Sequence, residues 1–217
     1  MNERNENFED LKGGFSATYS ETNHPPRHTM HLHDAYEIML VLSNDVWVDV
    51  NNESYPVPYG SILLFNVLDL HKICNQGSGL YKRFVIWFKN DFLNQVEPLR
   101  NSLLKCFYSR GFEKANLISS KEHDLRFIKE KIEELANRNY SGEMGSILQK
   151  LHLAELLTLI NELYFSNKSQ PNGFEFSSDV YKAILYIQQN YFEEICQDKL
   201  ARIALTDRRT LCEELKK

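Results

Sequence analysis

The sequence predicts an α+β protein, with a β-barrel or sandwich of short strands first, a helical hairpin next and a partial helical domain last. Three observations carry this. Between about Gly13 and Lys89, short apolar or alternating runs are separated by turn chemistry. After Asn90 the apolar period lengthens from two toward about 3.6 residues. Beyond Val180 the helical segments become short and closely spaced.

The strands come first. "DVWVDV" (Asp45 to Val50) puts Val46, Val48 and Val50 on one face and Trp47 on the other, the period of a strand between unlike surroundings. "SILLFN" and "RFVIWF" are rich in β-branched, aliphatic and aromatic residues and too short for typical helices. Between them lie "SND", "NNES" and "PVPYG", all turn-forming. This spacing predicts a barrel or sandwich over residues 1–95.

Two long helices are predicted within 96–166. The first begins near Ser119, where Glu122 stands at capping-box distance, and carries Leu125, Ile128, Ile132 and Leu135 in one stripe. The second runs from about Met144 to Phe165 and is apolar on most sides, from Ile147 to Leu163. Such a helix must be covered on most sides. Either the hairpin covers it within the chain, or a second copy does in a homodimer through residues of about 120–166. "NKSQPNGFEFSSD" (167–179) reads as a linker. Three helices follow over 180–217: Val180 to Tyr191, about Gln197 to Ala204, and Arg208 to Lys217.

Composition narrows the class. With 42% apolar and 25% charged residues the chain is an ordinary globular one. No apolar run approaches the roughly 20 residues of a membrane span, and the start is polar and acidic, unlike a signal peptide. A cytoplasmic protein that does not engage membranes is expected. Cys74, Cys106, Cys196 and Cys212 lack metal or disulfide spacing and are expected to be reduced. The net charge of −5 argues against a coat of basic residues, but the segment from Phe174 onward is close to neutral. A local basic face remains open there.

One stretch stands out, "HLHDAYEIMLVLSND" (31–45). Residues one apart on a strand face the same way, so His31 and His33 converge, and Glu37 can follow on that face. His71, closing "YGSILLFNVLDLH", is a fourth candidate. Three imidazoles and a carboxylate inside a small barrel suit iron, manganese, nickel or zinc. Without an ion, the same groups serve as polar anchors of a mostly apolar pocket, with Tyr36 and Trp47 as walls. His24, His28, His123 and His152 have no spacing that recommends them.

The pattern His31-x-His33-x3-Glu37, then Gly60 and His71 eleven positions later, resembles the two cupin motifs, with Asn75 at the end of the second. Asn44 stands at the turn glycine of the first motif, and Asn66 and Leu68 at the proline and glycine of the second. The tail carries a separate resemblance. "AILYIQQNYFEEICQDKLARIALTDRRTLCEELKK" is similar to the first helix-turn-helix of AraC-type transcription regulators, with Tyr186-Ile187, Asn190-Tyr191, Ile195, Leu200-Ala201 and Leu211 on the family pattern. Leu205 holds the turn position where that family has glycine. These regulators join a cupin-like sensor, a helical dimerisation segment and two helix-turn-helix units, and the order here is the same.

The resemblance implies a ligand-responsive DNA-binding regulator without catalytic residues. Asp207 is expected to cap the last helix, placing Arg208, Arg209 and Thr210 in its first turn toward operator DNA. Leu211 and Leu215 would face inward. Ligand binding is expected of His31, His33, Tyr36, Glu37, Trp47 and His71, for a small-molecule effector, with no resident cofactor or metal. The second helix-turn-helix of the family is missing before Lys217, so a fragment is expected. The alternative is a metal-dependent cupin enzyme, a dioxygenase or isomerase, using His31, His33, Glu37 and His71.

Overall fold

The structure, a computed structural model, describes residues 8–9, 11, 13–23, 29–51, 53–108, 116–119, 122–167, 178–190 and 194–214. The capping partnership with Glu122, most of the 167–179 linker, Tyr191, Leu215, His24 and His28 lie outside the described parts.

The strands are β1 (Phe8–Glu9), β2 (Phe15–Thr22), β3 (Leu32–His33), β4 (Tyr36–Val41), β5 (Val46–Val50), β6 (Glu53–Val57), β7 (Ile62–Phe65), β8 (His71–Asn75) and β9 (Tyr81–Phe88). A 3-10 helix (Asn90–Val96) leads to α1 (Glu97–Leu103) and α2 (Lys105–Tyr108), then β10 (Leu117–Ile118), α3 (Glu122–Asn137) and α4 (Gly142–Asn167). The tail folds as α5 (Ser178–Asn190), α6 (Gln197–Ile203) and α7 (Arg208–Glu214). The chain divides into two compact units, residues 1–107 with 116–168, and residues 108–115 with 169–217. Barrel and long helices thus share one unit.

In the first unit a five-stranded sheet, ordered β10-β7-β4-β9-β2, faces a three-stranded sheet, β6-β5-β8. All pairings in both are antiparallel. Alternation decides what lies between them. Val46, Val48 and Val50 point in from β5, Tyr55 and Val57 from β6, Ile73 from β8, and Met39, Leu63, Phe65, Tyr81 and Val85 from the larger sheet. The opposite face of that sheet carries Tyr36, Ile38, Leu40, Ile62, Leu64, Ile86 and Phe88, all buried. There the Tyr36 ring stacks on Phe88 and meets Phe107 of α2 edge-on. β4 is therefore buried on both faces, which explains the uninterrupted apolar run behind its carboxylate.

Turn chemistry holds the loops. Gly60 sits at φ +79, where a Cβ would also press on Leu125 at 3.2 Å, so the motif glycine has a steric reason. Where the first motif lacks its glycine, Asp45 takes the left-handed conformation at φ 59. Asn66 replaces the missing proline with hydrogen bonds. Its Oδ1 accepts the Leu68 N–H at 2.8 Å, and its Nδ2 donates to the Phe107 carbonyl at 2.9 Å.

α3 packs on β2 and β9 as well as on α4. Ile128, Ile132 and Leu135 of its stripe are buried, while Leu125 is half-buried. Along α4, Leu153, Leu156, Leu157, Ile160 and Tyr164 are fully enclosed. Its first half differs. Met144, Ile147 and Leu151 remain exposed, at 68%, 43% and 52%. The sequence demanded cover on most sides, and among the described residues the enclosed positions of α4 lie in its C-terminal part, from Leu153 onward.

The second unit has its own core of Val180, Ala183, Leu200, Ala201, Ala204 and Leu211, with Ile184, Tyr186, Ile187 and Ile195 around it. α6 ends in a Schellman motif. The Thr206 N–H donates to the Ala201 carbonyl at 3.0 Å and the Leu205 N–H to that of Arg202 at 3.2 Å. This motif needs a left-handed residue, and Leu205 fills it at φ 47. A branched side chain pays about 1–2 kcal/mol for that conformation. Leu205 is 77% exposed, so it recovers little by burial. Leu205→Gly should stabilise the tail by roughly 1 kcal/mol, the relieved strain less the extra chain entropy. Urea denaturation followed by helical circular dichroism checks this, and a lowered midpoint would contradict it.

Candidate functional site

Three backbone devices bring the histidines together. His31 forms a two-hydrogen-bond antiparallel bridge with His71, at 2.9 and 3.1 Å, so the two side chains leave the backbone on the same side. His33 lies two residues on, on β3. Glu37 is paired with Phe65 of β7 and Trp87 of β9, which sets those three side by side on the inner face. The imidazole centroids lie 4.6 to 5.1 Å apart, and one ligand atom of each ring falls within 4.8 Å of the others.

All four polar groups are buried, Glu37 at 2% exposure and His71 at 1%. Glu37 Oε2 lies 3.0 Å from His33 Nε2 and 3.3 Å from His71 Nε2. The ring orientations follow from carbonyls, which only accept. His71 Nδ1 is 2.7 Å from the Asp69 carbonyl and His31 Nδ1 is 3.0 Å from that of Thr29, so each Nδ1 carries the hydrogen. Their Nε2 atoms are left for the interior. Phe65 lies parallel on His71 at 3.8 Å and Trp87 packs on His33 at 5.2 Å.

Charge balance follows from the same contacts. Burial works against the Glu37 carboxylate, but hydrogen bonds from His33 and His71 outweigh it and hold the group well below the usual carboxylate range. Burial likewise opposes the His71 cation, and the Glu37 hydrogen bond and charge outweigh it, so His71 titrates above its ordinary value. His31 goes the other way. Burial lowers it, and the nearby imidazoles add to that against the support of Thr29.

The set is compatible with a metal. Three inward imidazoles with fixed rings and one carboxylate are a donor set for divalent transition ions. Glu37 Oε2 is already within 3.0 and 3.3 Å of two imidazole Nε2 atoms, so carboxylate and rings converge on one point. Among the described residues this is the one such cluster.

Not every expected pocket residue joins it. Tyr36 is fully buried on the opposite face of the sheet, against Phe88 and Phe107. Trp47 alternates away from Val46 and Val48 and pairs with Pro56 and Cys74. Neither lines the interior beside the histidines, because each has the wrong parity on its strand. Phe65 and Trp87 do, and the strand register that brings them there is not readable from local sequence.

Asp69 holds the frame behind His71. Its carboxylate accepts the Asn66 N–H at 2.8 Å, the Asn51 amide at 2.7 Å and the Asn116 amide at 3.1 Å. These bonds fix the carbonyl that receives His71 Nδ1.

In the tail, Asp207 caps α7. Its carboxylate accepts the backbone N–H groups of Arg209 and Thr210 at 2.9 and 3.0 Å and the Thr210 hydroxyl at 2.6 Å. Arg208, Arg209 and Thr210 stand exposed in the first turn, while Leu211 turns into the core. Each of the three is engaged within the tail: Arg208 Nε donates to Gln197 Oε1, Arg209 Nε contacts Glu213 at 3.0 Å, and Thr210 bonds Asp207.

Two outcomes test these frames. Asp69→Ala should cost about 2–4 kcal/mol in urea unfolding, since a buried N–H and a buried amide lose their acceptor at roughly 1–3 kcal/mol each. A loss below 1 kcal/mol would mean the network is not what holds the loop. The Thr210 hydroxyl, then the backbone N–H groups, depress the Asp207 pKa, so its cap is complete above the ordinary aspartate value of about 3.9. It is lost only as the pH falls through the lower folded value. Amide exchange at Arg209 and Thr210 should accelerate in that acid window, and Asp207→Asn should abolish the pH dependence.

No protein-family model and no curated protein matches the sequence. Solved structures do match. ToxT from Vibrio cholerae, with an unsaturated fatty acid bound, superposes with a TM-score of 0.54 at 14% identity, over 94% of this chain and 74% of its own. ToxT bound to (E)-4-(8-methylnaphthalen-1-yl)but-3-enoic acid gives 0.52 at 14% identity, over 94% and 76%. The AraC-like transcriptional activator CuxR gives 0.43 at 10% identity, over 84% and 60%. No helix among the described residues is long and apolar enough to cross a membrane. Over nearly its whole length, the fold of the chain is similar to that of ToxT.

Proposed function

We propose that the chain is a ligand-responsive transcription regulator acting in the cytoplasm, with the strand unit as sensor and the tail as DNA reader. The observation that carries this is the α6–turn–α7 geometry. A capped second helix exposes Arg208, Arg209 and Thr210 in its first turn, where a recognition helix meets base edges and phosphates. The fold shared with ToxT supports the same reading, and ToxT has been crystallised with small carboxylic acids. The effector site is the inner end of the barrel at His31, His33, Glu37 and His71.

The exposed start of α4, with Met144, Ile147 and Leu151, supports a homodimer through the long helices. In that dimer, effector binding changes how the barrel holds residues 120–166 and so the spacing of two DNA-binding tails. The effector must bind the two states unequally for this to work. Light scattering that gives a monomer at every concentration removes the dimer from the mechanism. The enzyme alternative draws on the same four polar groups but gives the helix-turn-helix no task.

Binding to a pool of random-sequence duplexes tests the DNA assignment. Changing both Arg208 and Arg209 to alanine should weaken binding and flatten the salt dependence by about two in slope, roughly one per lost phosphate contact. Glu213→Ala should do the reverse, because it frees Arg209 and removes a negative charge from the DNA-facing turn. Unchanged affinity in the double variant would end the recognition-helix assignment.

A further inference from the structure

We propose that His152 is a proton-operated latch between α3 and α4, which holds the Tyr140 hydroxyl when neutral and passes to the Glu134 carboxylate when protonated.

One ring nitrogen here faces two partners with opposite requirements. His152 Nδ1 lies 2.8 Å from the Tyr140 hydroxyl and 3.4 Å from Glu134 Oε1. A carboxylate only accepts, so the Glu134 contact needs a hydrogen on Nδ1. The tyrosine hydroxyl can donate, and its distance suits a bond to a bare Nδ1. Bare Nδ1 gives Glu134 nothing, and protonated Nδ1 takes from Tyr140 the acceptor of its hydrogen. The two bonds therefore exclude each other.

The surroundings leave the imidazole as the group that changes. Its side chain is only 13% exposed. Around it stand Lys131 and Glu134 of α3, Arg138 just beyond that helix, Tyr140 from the connection and Glu155 from α4. Lys131 reaches Glu134 at 3.4 Å and Glu155 at 2.9 Å. Arg138 Nη1 holds Glu134 at 3.0 Å, with its guanidinium 5.7 Å from the centre of the Tyr140 ring. Lys150 of α4 turns to the ring of Phe92 instead. Burial works against the Glu134 carboxylate, but the His152 charge, the Arg138 hydrogen bond and Lys131 outweigh it and hold the group below its ordinary value. Burial, then the Glu134 charge, raise the Tyr140 phenol. Carboxylate and phenol thus keep their states where an imidazole ordinarily titrates, between about pH 5 and 8.

The latch acts on the start of α4. Tyr140 belongs to the short connection 138–141, whose backbone is seated on the first turn of that helix. A Cβ at Gly145 would meet the Tyr140 carbonyl carbon at 2.8 Å. With the hydroxyl bond, the connection is fastened to α4 at two levels, its first turn and its third. Without it, the first turn alone remains. Met144, Ile147 and Leu151 are exposed along these turns. Protonation loosens the connection and adds a charged bond between α3 and α4 at Glu134. The order of an exposed apolar face thereby depends on pH, whether or not that face meets a second copy.

The test follows the ring-nitrogen resonances of isotope-labelled histidine in the full chain, from about pH 5 to 8.5 across the imidazole range. At the alkaline end His152 should carry its hydrogen on Nε2, with Nδ1 bare and accepting. At the acid end both nitrogens should carry one. The first hydrogen-bonded amides of α4, from Ser146 on, should exchange about fivefold faster at the acid end after correction for intrinsic rates, the factor of a typical net hydrogen bond. Amides of α3 around Ile132 should not change. Tyr140→Phe should leave α4 at the faster level at every pH. Glu134→Gln should move the imidazole transition to lower pH, because the carboxylate no longer supports the cation. A neutral His152 with its hydrogen on Nδ1 overturns the proposal, since Tyr140 then has no acceptor there. Amide exchange at the start of α4 that is equal across the range overturns it too. Both of these are read on the wild-type chain, and circular dichroism confirms that each variant is folded.

Discussion

A carboxylate almost wholly withdrawn from water has to be answered where it sits, and in this protein much of the strand unit is arranged to answer Glu37. Two imidazoles reach its Oε2 atom at 3.0 and 3.3 Å. One of them is steered by the Asp69 loop, whose position depends on three asparagines drawn from different stretches of chain. The other belongs to a ribbon strand only two residues long. Remove the negative charge and the reason for this convergence disappears. The apolar interior of Val48, Ile73 and Leu63 supplies most of the burial energy, but it would tolerate many arrangements of its neighbours.

Local chemistry made much of this legible before any coordinates. Alternation identified β5 as a strand between unlike surroundings, without saying which of its faces is interior. The histidine spacing was sufficient because one-apart residues on a strand must converge. The same parity rule, applied strictly, separates Tyr36 from Glu37 and Trp47 from Val46, so those two pocket walls were over-read rather than hidden. Phe65 and Trp87 are a different matter. Their place beside Glu37 is set by which strands pair and in what register, information that is non-local by nature. The short strand β10 and the cover that the sheet gives to α3 were hidden for the same reason.

The departures from motif proved to be substitutions of mechanism. Asn66 makes with side-chain hydrogen bonds the turn that proline and glycine would make by conformation. Leu205 shows the opposite case. The backbone keeps the left-handed geometry that closes α6, and the residue bears the steric cost. In both places the turn is closed by hydrogen bonds, with Asn66 making them through its side chain and Leu205 through its backbone.

β4 has one more consequence, which concerns folding rather than binding. Its sequence, "YEIMLV", is apolar on both faces except at Glu37, and every residue of it is buried. A pattern of polar and apolar residues usually tells a strand which way to turn, and here that pattern rests on one residue. A pairing shifted by one position would swap the faces, driving Glu37 among Phe88 and Phe107 with no imidazole in reach. The correct pairing offers it two. The buried carboxylate thus acts as the strand's orientation mark, rejecting the misaligned sheet that hydrophobicity alone would accept.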